Sequence, residues 1–288
     1  MAAALPAHGV RPAAAGRAGD VLERLFAKPH TLVMGVLNVT PDSFSDGGRF
    51  LEPQAALTQA RRLVAEGADI LDIGAESTRP YGGAVQVAEE EERARLEPIL
   101  APAIALGIPV SIDTMKASLA VWALDRGAAI VNDVWGLQRD PDMARIVAER
   151  GAPVVIMHNR DAADPEIDIV ADVSAFFERS LAIAARAGIA REQIVLDPGI
   201  GFGKTPQQSM TCIARLEAWR HFSLPLLIGA SRKRFIHTVT PSQPMERLGG
   251  SIAAHLLAVE NGAAIVRAHD VAPTVQALAV AAAIRQTR

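Results

Sequence analysis

The chain has 288 residues, half of them hydrophobic, with a formal net charge of -3 and a sequence pI of about 6.2. That length supports one large core or two small ones, and the interspersed, nearly balanced charge argues against nucleic acid or an anionic membrane as partner. A single cysteine, Cys212, excludes an internal disulfide and fits a reducing, cytoplasmic compartment, and no uninterrupted apolar run approaches the ~20 residues of a membrane span.

Residues 1–28 are rich in Ala, Gly, Pro and Arg and read as a flexible extension. The stretch Ala2 to Ala7 is too short for the apolar centre of a secretory signal. A single domain is expected over 29–288. Its first strand, Leu32 to Leu37, is apolar and uncharged, which suits a strand covered on both faces. Asn38 then opens a polar loop that carries Phe44 and Asp46 and ends at Gly47 and Gly48; a loop this long and polar has the character of a lid or binding loop.

Further strands are expected at 70–73, 109–112, 130–131, 154–157, 194–196, 226–228 and 264–266. Helical patterns fill 53–67, 87–107, 115–127, 140–150, 168–188, 206–220, 245–261 and 271–285. The acidic run Glu89 to Glu92 suits the first turn of its helix. Gly67, Gly107, Gly127, Gly151, Gly188 and Gly262 stand where helices stop. Eight strands, each followed by a helix, predict a (β/α)8 TIM barrel. A doubly wound open sheet is the alternative; eight similar units with no linker favour the barrel.

Barrel enzymes carry their chemistry at the carboxyl ends of the strands. The residues there are Asn38, the segment Gly74 to Pro80, Asp113, Asn132 with Asp133, His158 with Asn159, the segment Asp197 to Lys204, the segment Gly229 to Arg234, and Arg267 with His269 and Asp270. A single strand-end Asp is usually a helix cap; eight polar ends converging on one mouth describe a site. Asp113, Asn132 and Asp197 offer acceptors and an amide to a flat heterocycle with ring N–H and amino groups. Lys233 can meet a ring carbonyl or nitrogen, and Phe202 and Met157 can cover the ring faces. Arg267, His269, Arg79 and Asn38 suit phosphate or a metal ion.

Three familiar sites are excluded. GIGFGKT places Pro198 where a phosphate loop needs its first glycine. His158 has no partner at zinc-ligand spacing. No GxSxG elbow supports a serine hydrolase.

In order, VMGVLNVTPDSFSDGG, DIGAESTRP, SIDT, VNDVWG, MH, DPGIGFGK, GASRKRF and IVRAHD resemble the motifs of the dihydropteroate synthases, one per expected strand, from about Leu32 to the C-terminus. The resemblance implies a barrel that condenses 6-hydroxymethyl-7,8-dihydropterin pyrophosphate with p-aminobenzoate, giving 7,8-dihydropteroate and pyrophosphate in folate biosynthesis, in a family targeted by sulfonamides. It implies that Asp113, Asn132, Asp197 and Lys233 hold the pterin beside Met157 and Phe202. It gives Asn38 to Mg²⁺, and Arg267, His269 and Arg79 to the pyrophosphate side. The loops bearing Phe44, Asp46, Thr78, Arg79 and Pro80 would close over the aminobenzoate, whose carboxylate would meet Ser231 and the backbone near Arg234. It also implies a homodimer through the last helices.

The chain departs from the family pattern at Ala75, Tyr81 and His237, where glycine is common. Tyr81 bears on the conformation of the second loop. A pterin-dependent methyltransferase would share the pterin pocket but need neither SRKR, RAH nor TPDSFSDGG. A catalytically silent paralogue should have lost loop or phosphate residues, and none is missing.

Overall fold

The computed structural model describes residues 20–39, 52–76 and 87–287. The elements run α1 (Asp20–Phe26), β1 (Leu32–Asn38), α2 (Glu52–Ala65), β2 (Ile70–Gly74), α3 (Glu89–Ile104), β3 (Val110–Asp113), α4 (Ala117–Leu124), β4 (Ile130–Asp133) and α5 (Met143–Arg150). They continue with β5 (Val154–Met157), α6 (Ile169–Ala187), β6 (Ile194–Asp197), α7 (Pro206–Ala214), β7 (Leu227–Ile228), α8 (Arg234–Val239), α9 (Leu248–Glu260), β8 (Ile265–Ala268) and α10 (Val271–Arg285). All neighbouring strands pair in parallel, in the order β6-β5-β4-β3-β2-β1-β8-β7. A bridge between Leu196 and Leu226 brings β6 to β7 and closes the ring. This is the expected (β/α)8 barrel. No described helix is long and apolar enough to cross a membrane.

Alternation along the strands sorts their side chains into two cores. Val33, Leu71, Ile73, Ile112, Val131 and Ile156 point outward and pack with helix residues such as Leu63, Leu96 and Trp219. Leu32, Met34, Ile70, Ile130, Val155, Val195, Leu227 and Ile265 point inward and fill the barrel's lower interior. Burying both faces is why the strands read as continuous apolar runs.

Residues 20–28 correct the expected extension. Val21, Leu22 and Leu25 lie on one face of α1 and are buried against the inward layer, plugging the base of the barrel. Lys28 and His30 then tie the entering chain to Asp69, at 2.6 and 3.1 Å, and the carboxylate also accepts from the Val33 N–H at 2.9 Å.

The helix ends follow local chemistry. Asp168 caps α6 by accepting from the Val170 and Ala171 N–H groups, and Thr205 and Gln208 form a capping box ahead of α7 with Pro206 in its first turn. The six glycines expected past helix ends all have positive φ. The expected helix 206–220 is two elements. After Ala214 the chain tightens into a 3-10 segment, Leu216–Phe222, because its apolar residues Leu216, Trp219 and Phe222 recur every three positions and all three are buried. Cys212 is buried on α7, and burial pushes its thiol up to about 11, the state of a packed and unreactive cysteine.

Candidate active site

Two residues further along the inward face, six of the strands reach the layer that forms the site, and in five of them it begins with a polar side chain. Ile70 gives way to Asp72, Ser111 to Asp113, Ile130 to Asn132, Val155 to Met157, Val195 to Asp197 and Ile265 to Arg267. Five of the expected site residues therefore share one face because the pleat puts them there. Asp133 does not. It points outward, buried, and accepts from the Trp135 and Leu137 N–H groups at 2.9 and 2.6 Å, so its role is to shape the turn after β4.

Arg267 is the hub of the polar layer. Its Nε donates to Asp72 Oδ2 at 2.7 Å and its Nη2 to Asp113 Oδ2 at 2.9 Å, with the side chain only 18% exposed. Asn132 Nδ2 donates to the same Asp72 oxygen at 3.1 Å. Asp270, an alternative partner for Arg267, is taken by Arg232 at 2.9 and 2.5 Å. Asp197 Oδ1 accepts from the Gly199 N–H at 2.7 Å. Lys233 lies over the Phe202 ring, its Nζ 4.0 Å from the centroid. Phe202, Met157 and Val134 form an apolar cluster with Met115 and Trp135.

The electrostatics follow from burial. Asp113 is pushed up to about 7 chiefly by burial, with the Arg267 guanidinium opposing and the Asp72 charge adding. Asp197 is raised to about 6 by burial, against the Gly199 N–H and the Lys233 charge. Lys233 is lowered to about 7 by burial and by Arg267, while Asp197 and Asp113 pull it back. The site thus holds two carboxyls and an amine poised near neutrality, the signature of a functional cleft.

A second buried chain supports the pocket from behind. His158, 1% exposed, meets Asp172 Oδ2 through Nε2 at 2.9 Å and Lys204 Nζ through Nδ1 at 2.6 Å. Burial and the Lys204 charge push His158 down to about 3, so the ring is neutral: Nδ1 accepts from the ammonium and Nε2–H donates to the carboxylate. Lys204 also donates to the Phe202 carbonyl at 3.1 Å. Between Asp197 and Lys204 the backbone is left-handed at Gly199, Gly201 and Gly203, and a Cβ on Gly199 would collide with the His158 carbonyl oxygen. This is what the glycines of DPGIGFGK do: they let the turn lie against β5 while Phe202 projects toward Lys233.

The remaining expected residues lie around the mouth. Asn38 ends β1, half-buried, in register with Gly74. Ser231 Oγ accepts from the His269 N–H at 3.2 Å and lies 3.0 Å from His269 Nδ1, which brings the β7 and β8 ends together. Arg234 is exposed at the start of α8. Phe44, Asp46, Thr78, Arg79, Pro80 and Tyr81 lie outside the described residues.

Sequence reasoning missed Asp72, although a carboxylate inside the apolar run ILDIG was a visible signal. It also missed the cluster at the ends of the second loop. Lys116 Nζ donates to Glu76 at 2.8 Å, Glu92 at 2.6 Å and the Val87 carbonyl at 2.8 Å, while Glu76 accepts from the Val87 N–H at 3.2 Å. Residues 76 and 87, which flank that loop, are thereby pinned to one buried ammonium.

Residues 34–269 match the family described as pterin binding enzyme. A dihydropteroate synthase of Bacillus subtilis (strain 168) is 45% identical over 248 residues, covering 86% of each chain. A solved dihydropteroate synthase from Clostridium difficile, determined in the presence of pteroic acid, superposes with a TM-score of 0.85 at 44% identity, covering 89% of this chain and 97% of that one. The Xanthomonas albilineans dihydropteroate synthase with 4-aminobenzoic acid gives a TM-score of 0.85 at 43% identity, covering 89% and 94%. The strand-end chemistry, the closed barrel and these likenesses agree: the chain belongs to the dihydropteroate synthase family of pterin-binding enzymes.

Proposed function

We infer that this barrel catalyses dihydropteroate synthesis, joining the methylene carbon of 6-hydroxymethyl-7,8-dihydropterin pyrophosphate to the amine of p-aminobenzoate and releasing pyrophosphate. The observation that carries the reading is the inward polar layer, with Asp113, Asn132 and Asp197 on one face above an apolar floor. Asp197 Oδ2 makes no hydrogen bond to a described residue and is suited to the pterin's amino and ring N–H donors. Lys233 over Phe202 forms the edge that meets the ring's acceptors, and Met157 and Phe202 supply its apolar walls.

The chemistry asks little acid–base work of the chain. The arylamine is uncharged at neutral pH and attacks as it stands. The buried carboxylates favour positive charge building on the pterin side as pyrophosphate departs. Arg267 Nη1 makes no hydrogen bond to a described residue, which leaves it for the ligand, with His269 beside it on the same strand end. Mg²⁺ keeps several waters and binds through few protein oxygens plus substrate phosphates, which the single amide oxygen of Asn38 at the end of β1 fits; Asn38 would hold it. When bound, the ion neutralises charge on the leaving pyrophosphate. Phe44, Asp46, Thr78, Arg79 and Pro80 are assigned to the aminobenzoate side, with Ser231 and Arg234 at its carboxylate.

A homodimer through α9 and α10 is part of this reading. Leu257, Val280 and Ile284 are each more than half exposed on those helices and would gain cover in such an interface. A cytoplasmic setting agrees with Cys212 as a free buried thiol. The deciding assay supplies both substrates with Mg²⁺ and follows dihydropteroate and pyrophosphate together. Equal amounts of both are expected; pterin binding without either product would refute the catalytic reading.

A further inference from the structure

Asp72 is the one member of the polar layer with no obvious path to a ligand. It is fully buried on β2, below Gly74, and its Oδ2 accepts from both Arg267 Nε and Asn132 Nδ2. Its Oδ1 has no hydrogen-bond partner among the described residues, nor has Ser111 Oγ, its neighbour in register on β3. A buried carboxylate with one unsatisfied oxygen is destabilising by itself. A fold keeps such a group where it organises something else.

What it organises can be read from hydrogen-bond logic. An ionised carboxylate only accepts, so the Asn132 amide must turn its NH2 toward Asp72. The Asn132 carbonyl oxygen then faces away from Asp72, toward the pocket. By the same contact Arg267 is anchored at Nε, so that its Nη2 reaches Asp113 and Nη1 is left over. One buried carboxylate thereby sets the orientation of residues on two other strands, β4 and β8.

We propose that Asp72 is a positioning residue that fixes the donor–acceptor polarity of the pterin pocket, presenting Asn132 as an acceptor and Arg267 as a forked donor. The proposal rests on the pterin reading above. With this polarity β3, β4 and β6 offer three acceptors, at Asp113, Asn132 and Asp197. They suit the amino and ring N–H donors of a pterin and reject a ring that presents a carbonyl in their place.

The test measures binding of 6-hydroxymethylpterin by calorimetry and the KM of each substrate. Asp72→Leu, which removes the acceptor at similar volume, is expected to weaken the pterin at least tenfold and to leave the p-aminobenzoate KM within about twofold. The conservative variant Asp72→Asn can keep its amide oxygen in the Oδ2 place, accepting from both Arg267 Nε and Asn132 Nδ2. It should recover most of the lost pterin affinity, which a merely structural defect would not do. Melting temperatures establish that each variant is folded. Asp197→Asn serves as the separate check on the pterin reading. If it loses pterin binding while Asp72→Leu retains it, the pocket stands and the positioning role falls. If both retain it, the pocket assignment falls and the proposal with it. An Asp72→Asn variant no better than Asp72→Leu also overturns the proposal.

Discussion

Replacing Arg267 with alanine removes the shared partner of two buried carboxylates. Asp72 and Asp113 would then both lose the guanidinium that bonds them. Breaking a buried pair by deleting one member costs about 3–5 kcal/mol, because the abandoned charge stays buried. At about 2–4 °C per kcal/mol for a domain of this size, the melting temperature should fall by roughly 6–20 °C at pH 8. The loss should depend on pH. Asp113 already binds its proton more tightly than an unfolded aspartate, up to about 7, and the guanidinium is what opposes that rise. Without Arg267 the folded state holds the proton to still higher pH. It then binds more protons than the unfolded chain across the window from about 4 to above 7. Stability therefore falls as pH rises through that window, and the variant should recover toward its parent as pH drops from 8 to 6. Scanning calorimetry at both values measures this. The geometry also changes the expected ligand pattern: a phosphate-only Arg267 would leave the bare pterin unaffected, whereas an Arg267 that anchors Asp113 weakens bare and phosphorylated pterin together, the latter more. A variant that melts within about 2 °C of its parent at pH 8 and binds bare pterin normally would refute the reasoning.

Asp197→Asn keeps the volume but sets an NH2 against the ligand's donors, so pterin affinity should drop at least tenfold by calorimetry; unchanged affinity in a folded variant would sink the assignment. Lys233→Met should raise the melting temperature at neutral pH while abolishing turnover, because burial already holds that amine down to about 7 and the fold gains by losing it. Below its folded value Lys233 must carry a proton in an unfavourable site, so the gain should be larger at pH 6 than at pH 9. Leu22→Ala should cost about 2–5 kcal/mol in chemical denaturation, since the side chain is 2% exposed in the plug beneath the barrel. Tyr81→Gly should retain turnover with an altered p-aminobenzoate KM at most; loss of pterin binding would make Tyr81 part of the pterin pocket.

The strands were legible because each is buried on both faces and followed by a helix that stops at glycine. The strand ends were legible for the same reason: Asp113, Asn132 and Asp197 stand where an apolar run turns polar. The parts that escaped depend on tertiary partners. α1 is seven residues in an Ala-rich, Pro-rich context, and only the barrel floor makes it a helix. The segment 216–222 repeats every three residues, which a period of 3.6 approximates too easily. Arg267 finds Asp72 and Asp113 at 195 and 154 positions' separation, across the interior, so no local pattern announces the pairing. Lys116, Glu76 and Glu92 each read as ordinary surface charges until folding buries them together.

The plug formed by α1 has an electrical consequence. Val21, Leu22 and Leu25, with the ring of Leu32, Met34, Ile70, Ile130, Val155, Val195, Leu227 and Ile265, make a hydrocarbon base several side chains thick. Field lines from Asp72, Asp113, Asp197, Arg267 and Lys233 escape poorly through such a base and leave chiefly at the carboxyl ends of the strands. The barrel therefore behaves as an insulated cup, and a ligand at its rim feels the charge pattern more strongly than the same residues could project across water.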